Sequence, residues 1–203
     1  MSVQKQSLQQ QQESTSDRDL VLLSKIAGGD KRAFEQLFGY YGERVFRYAL
    51  RLTSDQGKAE EVTNDVMLEV WKNAAKFERR SKVSTWILGI TRHLAFNSQR
   101  RKTVETVDID DTTPVEDESP GVEVALDHQV LKDGLKSALV KLSPEHRDVV
   151  ELTFFLGCDY HEIAEIVGCP LNTVKTRMFH ARKQLQGLLV ERRLVPDNLE
   201  MTV

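Results

Sequence analysis

Apolar residues recur every three or four positions along most of the chain, which is the spacing of amphipathic α-helices. In the first half of the chain these stripes cover residues 20–26, 34–52, 59–71 and about 84–101. Asp19 and Asp30 precede the first two stripes and are predicted to be N-caps, and Gly28 is predicted to end the first helix. No window combines strand alternation with hairpin dipeptides. The pattern therefore predicts a helical domain over residues 19–103.

The helical pattern is interrupted once and then resumes. Residues 104–130 hold nine acidic side chains, no Lys or Arg, and two prolines, which indicates an irregular, flexible linker. Apolar positions over 131–142 and 149–156, Phe154 included, predict two core-facing helices, and Ser143 and Pro144 have the types of an N-cap and a first helical residue. The prediction is an all-α protein whose parts are a disordered lead (1–18), two small helical domains (19–103 and 131–189), the acidic linker between them (104–130) and a tail (190–203).

Composition matters mainly through the distribution of charge. The chain has 203 residues and contains no apolar run of the ~20 residues that span a bilayer. It also has no apolar signal-peptide core and only two cysteines, so a cytoplasmic protein without membrane insertion is predicted. The net charge of −3 conceals a basic stretch over 76–102, the acidic linker and a second basic stretch over 175–183. Two nucleic-acid-binding faces separated by an acidic linker are therefore predicted.

The stretch CDYHEIAEIVGC, residues 158–169, can be interpreted in two ways, and one of them is a metal site. His161 and Glu162 begin like the H-E-x-x-H motif of zinc proteases, and a cysteine stands at each end. That motif needs a second histidine one helical turn later, but the position holds Glu165. No metal and no cofactor are predicted.

The same stretch also has the pattern of a helix and a turn. Asp159 and Glu162 are spaced as a capping box, and Gly168 suits the left-handed end of a short helix. Pro170 blocks continuation, and Asn172 or a neighbour is predicted to cap the next helix. The spacing of a helix-turn-helix is a small residue, a Gly four positions later and an apolar residue six positions after that. Ala164, Gly168 and Val174 have this spacing.

The second helix of this motif, TVKTRMFHARKQL, has one apolar and one basic side. Its inward residues are Val174, Met178, Ala181 and Leu185. An ordinary solvated face would carry both signs of charge, whereas this outer face has cations and no acid, so DNA binding is favoured. Its members are Thr173, Lys175, Thr176, Arg177, His180, Arg182 and Lys183. Lys175 and Arg177 are predicted to read guanine, and the later cations to contact phosphates.

The first basic stretch combines cations with aromatic residues, as expected of a surface that holds a separated strand. Its candidate contacts are Arg79, Arg80, Ser81 and Lys82 in a loop, and Arg92, His93, Phe96, Asn97, Arg100 and Arg101 on the following helix. Trp86 and Phe77 are assigned to the core. The loop is predicted to hold a flipped base, because loops carry adaptable polar groups on a rigid scaffold.

The outer side of the helix over 59–72 is acidic and has one exposed apolar residue. The side chains on it are Glu60, Glu61, Asn64, Asp65, Leu68 and Glu69. DNA would be repelled by this face, so either a protein partner with a basic surface or plain solvent is expected there.

Four segments in chain order give the sequence a family resemblance. They are AEEVTNDVMLEVWK, STWILGITRHLAFNSQRR, LSPEHRDVVELTFF and YHEIAEIVGCPLNTVKTRMFHARKQL. Together they resemble a bacterial RNA polymerase sigma factor of the sigma-70 family, in the extracytoplasmic-function (ECF) subfamily. The resemblance covers about residues 19–189.

The resemblance implies that residues 19–103 are sigma region 2, which binds core polymerase and the −10 promoter element through the loop and helix residues given above. It implies that Glu61, Asn64, Asp65 and Leu68 meet the β′ clamp helices, and that region 4, residues 131–189, binds the −35 element and the β flap. Where the family usually has A-R-N, this chain has Thr91, Arg92 and His93. Asn97 stands where the family often has Asp. The resemblance therefore does not fix the base preference at −10. An anti-sigma factor is a further implied partner.

No covalent chemistry is predicted, because the sequence lacks a Ser-His-Asp or Cys-His constellation and a Gly-rich phosphate loop. Two alternatives to the sigma factor remain. One is a stand-alone helix-turn-helix transcriptional regulator that binds duplex DNA without polymerase, and the other is a metalloenzyme.

Overall fold

The structure is a computed structural model that describes the backbone of residues 2–105, 125–192 and 194–195, and the side chains of residues 15–98, 131–192 and 194–195. Every regular element within those ranges is helical, which confirms the all-α prediction. The elements are α1 (Ser2–Ala27), α2 (Lys31–Thr53), α3 (Gln56–Asn73), a 3-10 turn (Ala74–Lys76), α4 (Val83–Glu105), α5 (Ala125–Val140), α6 (Pro144–Phe154), α7 (Tyr160–Val167) and α8 (Leu171–Glu191). The chain divides into two compact units, an N-terminal unit that extends to Thr113 and a C-terminal unit made of most of the chain after it.

In the N-terminal unit, α2 packs against α3 and α4 over an apolar core. The α2 helix begins as predicted, because the Asp30 carboxylate accepts hydrogen bonds from the backbone N–H groups of Arg32 (2.9 Å) and Ala33 (3.2 Å). The fully buried side chains of this core include Leu37, Val45, Val66, Val70 and Ile87. The core holds α3 and α4 in place, so each presents its outer side to solvent.

The start of α1 differs from the prediction. The helix begins at Ser2, where a disordered lead-in over 1–18 was expected. Asp19 lies inside the helix, so its predicted N-cap role is wrong. Gln is a good helix former and no Gly or Pro occurs between Ser2 and Ala27, so nothing in that composition stops the helix.

Asp19 is instead a buried carboxylate that joins α1 to α2. It accepts a hydrogen bond from the Tyr41 hydroxyl and pairs with the Arg18 guanidinium at 2.8 Å. Arg18 also lies over the Tyr40 ring, 3.9 Å from its centroid. Burial raises the pKa of Tyr41, and its hydrogen bond to the Asp19 carboxylate raises that pKa further. The phenol therefore stays protonated and keeps the buried carboxylate hydrogen-bonded.

In the C-terminal unit, the turn between α5 and α6 is fixed by two predicted residues and one further side chain. The Ser143 hydroxyl accepts the His146 N–H at 3.3 Å, and Pro144 is the first residue of α6, as predicted. Arg147 donates from Nε to the Leu139 carbonyl at 2.9 Å, near the end of α5. The prediction that Phe154 faces the core is wrong. It is exposed at the last position of α6, where the helix ends and the core no longer covers it.

The ends of the predicted linker are helical. The α4 helix continues to Glu105 and α5 begins at Ala125, inside the range 104–130 that was predicted to be irregular. No Gly or Pro stands at either of these ends. The acidic stretch between them, residues 106–124, lies outside the described residues.

Candidate nucleic-acid interface

The first helix of the predicted helix-turn-helix is α7, and its start is fully capped. The Asp159 carboxylate accepts the N–H groups of His161 (2.8 Å) and Glu162 (2.9 Å), and the Glu162 carboxylate accepts the Asp159 N–H at 2.9 Å. This is the predicted capping box, and it satisfies backbone donors that the first turn cannot pair internally. His161 is therefore an exposed first-turn residue of a short helix.

The turn between α7 and α8 is made by Gly168. Its φ of +68° lies in the left-handed region that favours glycine, as predicted, and its N–H bonds to the Ala164 carbonyl. The next helix begins at Leu171 with Pro170 as N-cap, rather than with Asn172. The Pro170 carbonyl accepts the Thr173 N–H at 2.8 Å, which fixes the first turn of α8.

The α8 helix separates an apolar from a basic side, as predicted. The buried residues are Val174, Met178, Ala181 and Leu185. Among the predicted DNA contacts, those exposed to solvent are Lys175, Thr176, His180 and Lys183, and those half-buried are Thr173, Arg177 and Arg182. No acidic residue occurs in α8 before Glu191. We call this outer surface of α8, from Thr173 to Lys183, the α8 face.

Phe179 lies in the middle of the α8 face and is 58% exposed. It follows the buried Met178 by one position, which places it about 100° around the helix from the apolar stripe. Lys175 and Lys183, four residues before and after it, are its neighbours on the helix surface. Phe179 was not among the predicted site residues, nor was it among the predicted inward residues of this helix. Its offset from the buried stripe was the available signal.

Arg177 lies at the edge of the α8 face. It is half-buried, and its Nη1 is 3.9 Å from the Cys169 sulfur. The pKa of Glu145 is lowered chiefly by its own backbone N–H at the start of α6, then by the Ser143 hydroxyl, and further by the positive charge of Arg177. Arg177 therefore contacts a thiol and is near enough to Glu145 for its charge to favour the carboxylate.

The basic loop of the N-terminal unit, residues 77–82, has an irregular backbone. Arg79 has a φ of +57°, in the region that non-glycine residues rarely adopt. Arg80 forms an ion pair with Glu78 at 2.6 Å, and both side chains are exposed. Ser81 is half-buried and its hydroxyl bonds to the Lys82 carbonyl at 3.3 Å. The four predicted DNA contacts of the loop all lie at the surface: Arg79, Arg80 and Lys82 are exposed, and Ser81 is half-buried.

The outer side of α4 continues this basic surface. The Arg92 guanidinium lies over the Phe96 ring, 4.7 Å from its centroid, and the Asn97 amide is 2.9 Å from His93 Nε2. The four residues share one side of the helix. Arg100 and Arg101, the other predicted contacts, have side chains outside the described residues. Trp86 and Phe77 pack together with ring centroids 5.1 Å apart, half-buried against the core.

The outer side of α3 carries the acidic surface that the sequence predicted. The exposed residues Glu61, Asn64, Asp65 and Leu68 lie on one stripe, and we call them the α3 face. Leu68 is 47% exposed. Within the part of the chain that the structure describes, neither Glu61 nor Asp65 has an ion-pair partner. Their carboxylates are therefore available to a basic surface of another molecule.

The described residues contain neither a metal-binding cluster nor a membrane-spanning helix. Within them, no three His, Cys, Asp or Glu side chains are grouped to hold a metal ion. Cys158 is buried beside the Leu156 carbonyl, with its sulfur 3.8 Å from that oxygen. None of the helices described has the length and apolarity required to cross a bilayer.

Two family models match the chain in order. The Sigma-70 region 2 model matches residues 37–104, and the Sigma-70 region 4 model matches residues 132–185. The chain belongs to the sigma-70 family. The first match contains the α3 face and the basic loop, and the second contains the α8 face. As a sigma factor, the protein directs core RNA polymerase to specific promoters in transcription initiation.

The relatives of this sigma factor are of the extracytoplasmic-function class. The ECF RNA polymerase sigma factors SigK and SigL of Mycobacterium tuberculosis are each 28% identical to it, over 184 and 174 residues. These matches cover 86% and 83% of this chain and 95% and 96% of the relatives. The expected ECF membership is thus confirmed.

Two solved structures have a similar fold. The sigma factor RpoE from Bartonella quintana, in complex with the anti-sigma factor NepR, gives a TM-score of 0.61 at 26% identity and covers 77% of this chain and 96% of its own. The structure of CnrH in complex with the cytosolic domain of CnrY gives a TM-score of 0.62 at 22% identity, with 86% and 98% covered. The order of helices in this sigma factor is therefore one already seen in the family.

Proposed function

We propose that the α8 face reads the −35 promoter element in the major groove. The observation that carries this proposal is a cationic, acid-free helix face held by a capped helix and a glycine turn. Lys175 lies in the N-terminal half of α8, where recognition helices contact base edges. The later cations Arg182 and Lys183 contact phosphates. Arg177 reaches a base only after its guanidinium leaves Cys169.

Phe179 adds an apolar contact to this face, and its partner is the C5-methyl group of a thymine. A promoter with deoxyuridine in place of thymine at each −35 position tests the contact, because it removes only the methyl. The native protein should lose about 1 kcal/mol at one position, near the ~0.8 kcal/mol of a buried CH₂ group. Phe179→Ala should bind both DNAs equally. Equal losses in the native protein and the variant would exclude the contact.

The α3 face docks on the clamp helices of the polymerase β′ subunit. Glu61 and Asp65, whose carboxylates have no ion-pair partner among the described residues, and the half-exposed Leu68 fit a basic helical surface with an apolar patch. Asp65→Arg should weaken binding to core polymerase at least tenfold, because it places a like charge against the partner. Glu35→Arg is the matched control, since Glu35 is an exposed acid on α2 and the charge change is the same. Equal losses for both variants would mean that net charge alone governs binding.

The basic loop and the outer side of α4 hold the separated strand of the −10 element. Cations follow the phosphates, and the Phe96 ring and the loop backbone surround an unpaired base. Capture of that base offsets the few kcal/mol that unstacking typically costs. Thr91, where the family usually has Ala, is buried and bonds to the Ile87 carbonyl at 2.8 Å. A −10 base preference different from the family's would therefore arise from His93, which is exposed, rather than from Thr91.

The deciding experiment is transcription from a −35/−10 promoter with purified protein, with and without core polymerase. The sigma proposal expects weak DNA binding by the protein alone and specific initiation on adding core, since polymerase joins two weak sites into one strong one. A stand-alone regulator would bind the promoter tightly without core and add no initiation. That result would overturn the proposal.

We further propose that an anti-sigma factor inhibits this protein in the cytoplasm. The support is that one structural relative is bound to an anti-sigma factor. An inhibitor that covers the α3 face would compete with core polymerase, so Asp65→Arg should weaken both complexes. If Asp65→Arg weakened only the polymerase complex, the inhibitor would bind elsewhere.

A further inference from the structure

His146 lies in the first turn of α6 and was not among the predicted site residues. Its backbone N–H donates to the Ser143 hydroxyl at 3.3 Å, so the cap of α6 fixes the point from which its side chain extends. The imidazole is half-buried, and its buried Nδ1 has no hydrogen-bond partner among the described residues. Packing, rather than a hydrogen bond, therefore holds the buried edge of this ring.

The ring of His146 packs against the α8 face. It stacks on the ring of His180, with centroids 6.2 Å apart and planes at 28°. The Phe179 ring meets the same His180 imidazole edge-on, with centroids 5.4 Å apart and planes at 75°. Aromatic pairs prefer offset-stacked and edge-to-face arrangements at such separations. His180 is thus flanked by one ring from α6 and one from α8, and we call the three rings the aromatic stack.

The aromatic stack restrains two side chains that would otherwise rotate. His180 and Phe179 are exposed on the α8 face. An exposed side chain exchanges rapidly among several rotamers. Each side chain that becomes immobile on binding loses this freedom, and the loss opposes binding. A ring that its neighbours already hold loses less freedom, so the stack favours binding without adding a contact to DNA.

We propose that His146 is a positioning residue for recognition of the −35 element. It holds the His180 ring, and through it the Phe179 ring, in the orientation in which the two meet DNA. This inference rests on the proposed function of the α8 face. His146 acts through His180 and needs no DNA contact of its own. Because no hydrogen bond holds its buried edge, the flat ring is the property that matters.

The test is binding of a promoter duplex by the holoenzyme formed from core polymerase and the full-length protein. His146→Leu keeps an apolar side chain but removes the flat ring. It should weaken binding roughly threefold to tenfold, because His180 must then be immobilised on binding. His146→Phe is the matched control, since it keeps a flat ring without imidazole nitrogens, and it should bind as the native protein does.

A double-mutant cycle separates positioning from an independent contact. His180→Ala should weaken promoter binding by itself. Adding His146→Leu to it should cause no further loss, because a residue that acts only through His180 has nothing left to position.

Two further readouts would not respond to a general loss of stability. The native protein should prefer thymine to deoxyuridine at the −35 position that Phe179 contacts. His146→Leu should reduce this preference, and His146→Phe should retain it. In the NMR spectrum of the free protein, the His180 ring protons should show a ring-current shift that His146→Leu removes and His146→Phe retains.

The results that overturn this inference differ from those that overturn the α8 face. Equal losses for His146→Leu and His146→Phe would show that a flat ring is not what His146 supplies. Losses of His146→Leu and His180→Ala that simply add would show that the two residues act independently. A loss for His180→Ala with none for His146→Leu would remove the positioning role and leave the α8 face in contact with DNA. Unchanged binding by every variant would overturn both proposals.

Discussion

The two basic surfaces of this sigma factor each depend on one residue with a left-handed backbone, but the residue types differ. The α8 face is positioned by Gly168, whose φ of +68° costs a glycine little. The basic loop before α4 turns at Arg79, with a φ of +57°. A side chain in that region costs of order 1–3 kcal/mol. The loop therefore carries strain that the turn before α8 avoids.

The difference matches the two tasks that we propose. Duplex DNA offers a fixed groove, and a capped helix with a low-strain turn presents its side chains in a fixed register to that groove. A separated base has no fixed position, so a loop that changes shape on binding is better suited to it. On this comparison, the α8 face is preorganised, whereas the loop completes its site when the strand arrives.

Met178→Ala should have the largest effect, because it removes a fully buried side chain beneath the α8 face. The expected loss of stability of the C-terminal unit is ~2–5 kcal/mol, as for similar truncations in protein cores. Chemical denaturation measures this loss. Met178→Leu, which keeps the volume, should cost below about 1.5 kcal/mol. Binding to core polymerase through the α3 face should be retained, and its loss would mean that the two units are not separable in function.

Gly168→Ala should come next, with a loss of about 1–2 kcal/mol and weaker −35 binding. A Cβ at this glycine would meet no atom within 4 Å, so the cost arises from backbone strain alone. Gly187→Ala is the control in the same unit, because Gly187 lies inside α8 with equal open space around its Cβ. It should stabilise the unit by roughly 0.5–1 kcal/mol. Equal effects of the two substitutions would contradict the role assigned to the turn.

Arg79→Gly tests whether the basic loop is strained. It should raise the stability of the N-terminal unit by about 1 kcal/mol, because glycine adopts a positive φ with little strain. Arg80→Gly removes the same charge from a residue without a positive φ, so it should give no gain. Thermal denaturation separates the two variants. Both should bind the −10 strand less well, because each lacks one cation. If Arg79→Gly bound the strand as tightly as the native protein, strain rather than charge would be the main contribution of Arg79.

Most helix starts and the turn before α8 could be predicted from the sequence, because they depend on residues close together in the chain. The caps at Asp30, Ser143 and Asp159 and the turn at Gly168 depend on contacts within about four residues, and all are confirmed. The interior position of Asp19 was not predictable in this way. Its partner Tyr41 lies twenty-two residues away, so a cap-like residue type was misleading.

The sites were predictable as faces but not as individual contacts. Helical periodicity placed the α3 and α8 faces on the surface correctly, because burial of the opposite stripe fixes them. The same periodicity leaves Phe179 off the buried stripe, but its apolar type gave no reason to count it among the DNA contacts. It also did not predict the contact between Arg177 and Cys169, which requires the turn geometry. The positive φ of Arg79 has no sequence signal of its own.

Glu145→Gln should have the smallest effect and concerns the edge of the α8 face. Hydrogen bonds at the start of α6 and the nearby Arg177 lower the pKa of Glu145 below its ordinary value of 4.5, so the folded state prefers the charged form. The stability that it contributes is present above the unfolded pKa and is lost as pH falls through the folded pKa. The variant should therefore be slightly less stable than the native protein at neutral pH and equal to it in acid. Glu165→Gln, at an exposed acid in the middle of α7, is the control. Glu145→Gln also removes a negative charge near Arg177, so binding of the −35 element should strengthen slightly at low salt. Unchanged binding would show that Glu145 does not hold Arg177 back from the DNA.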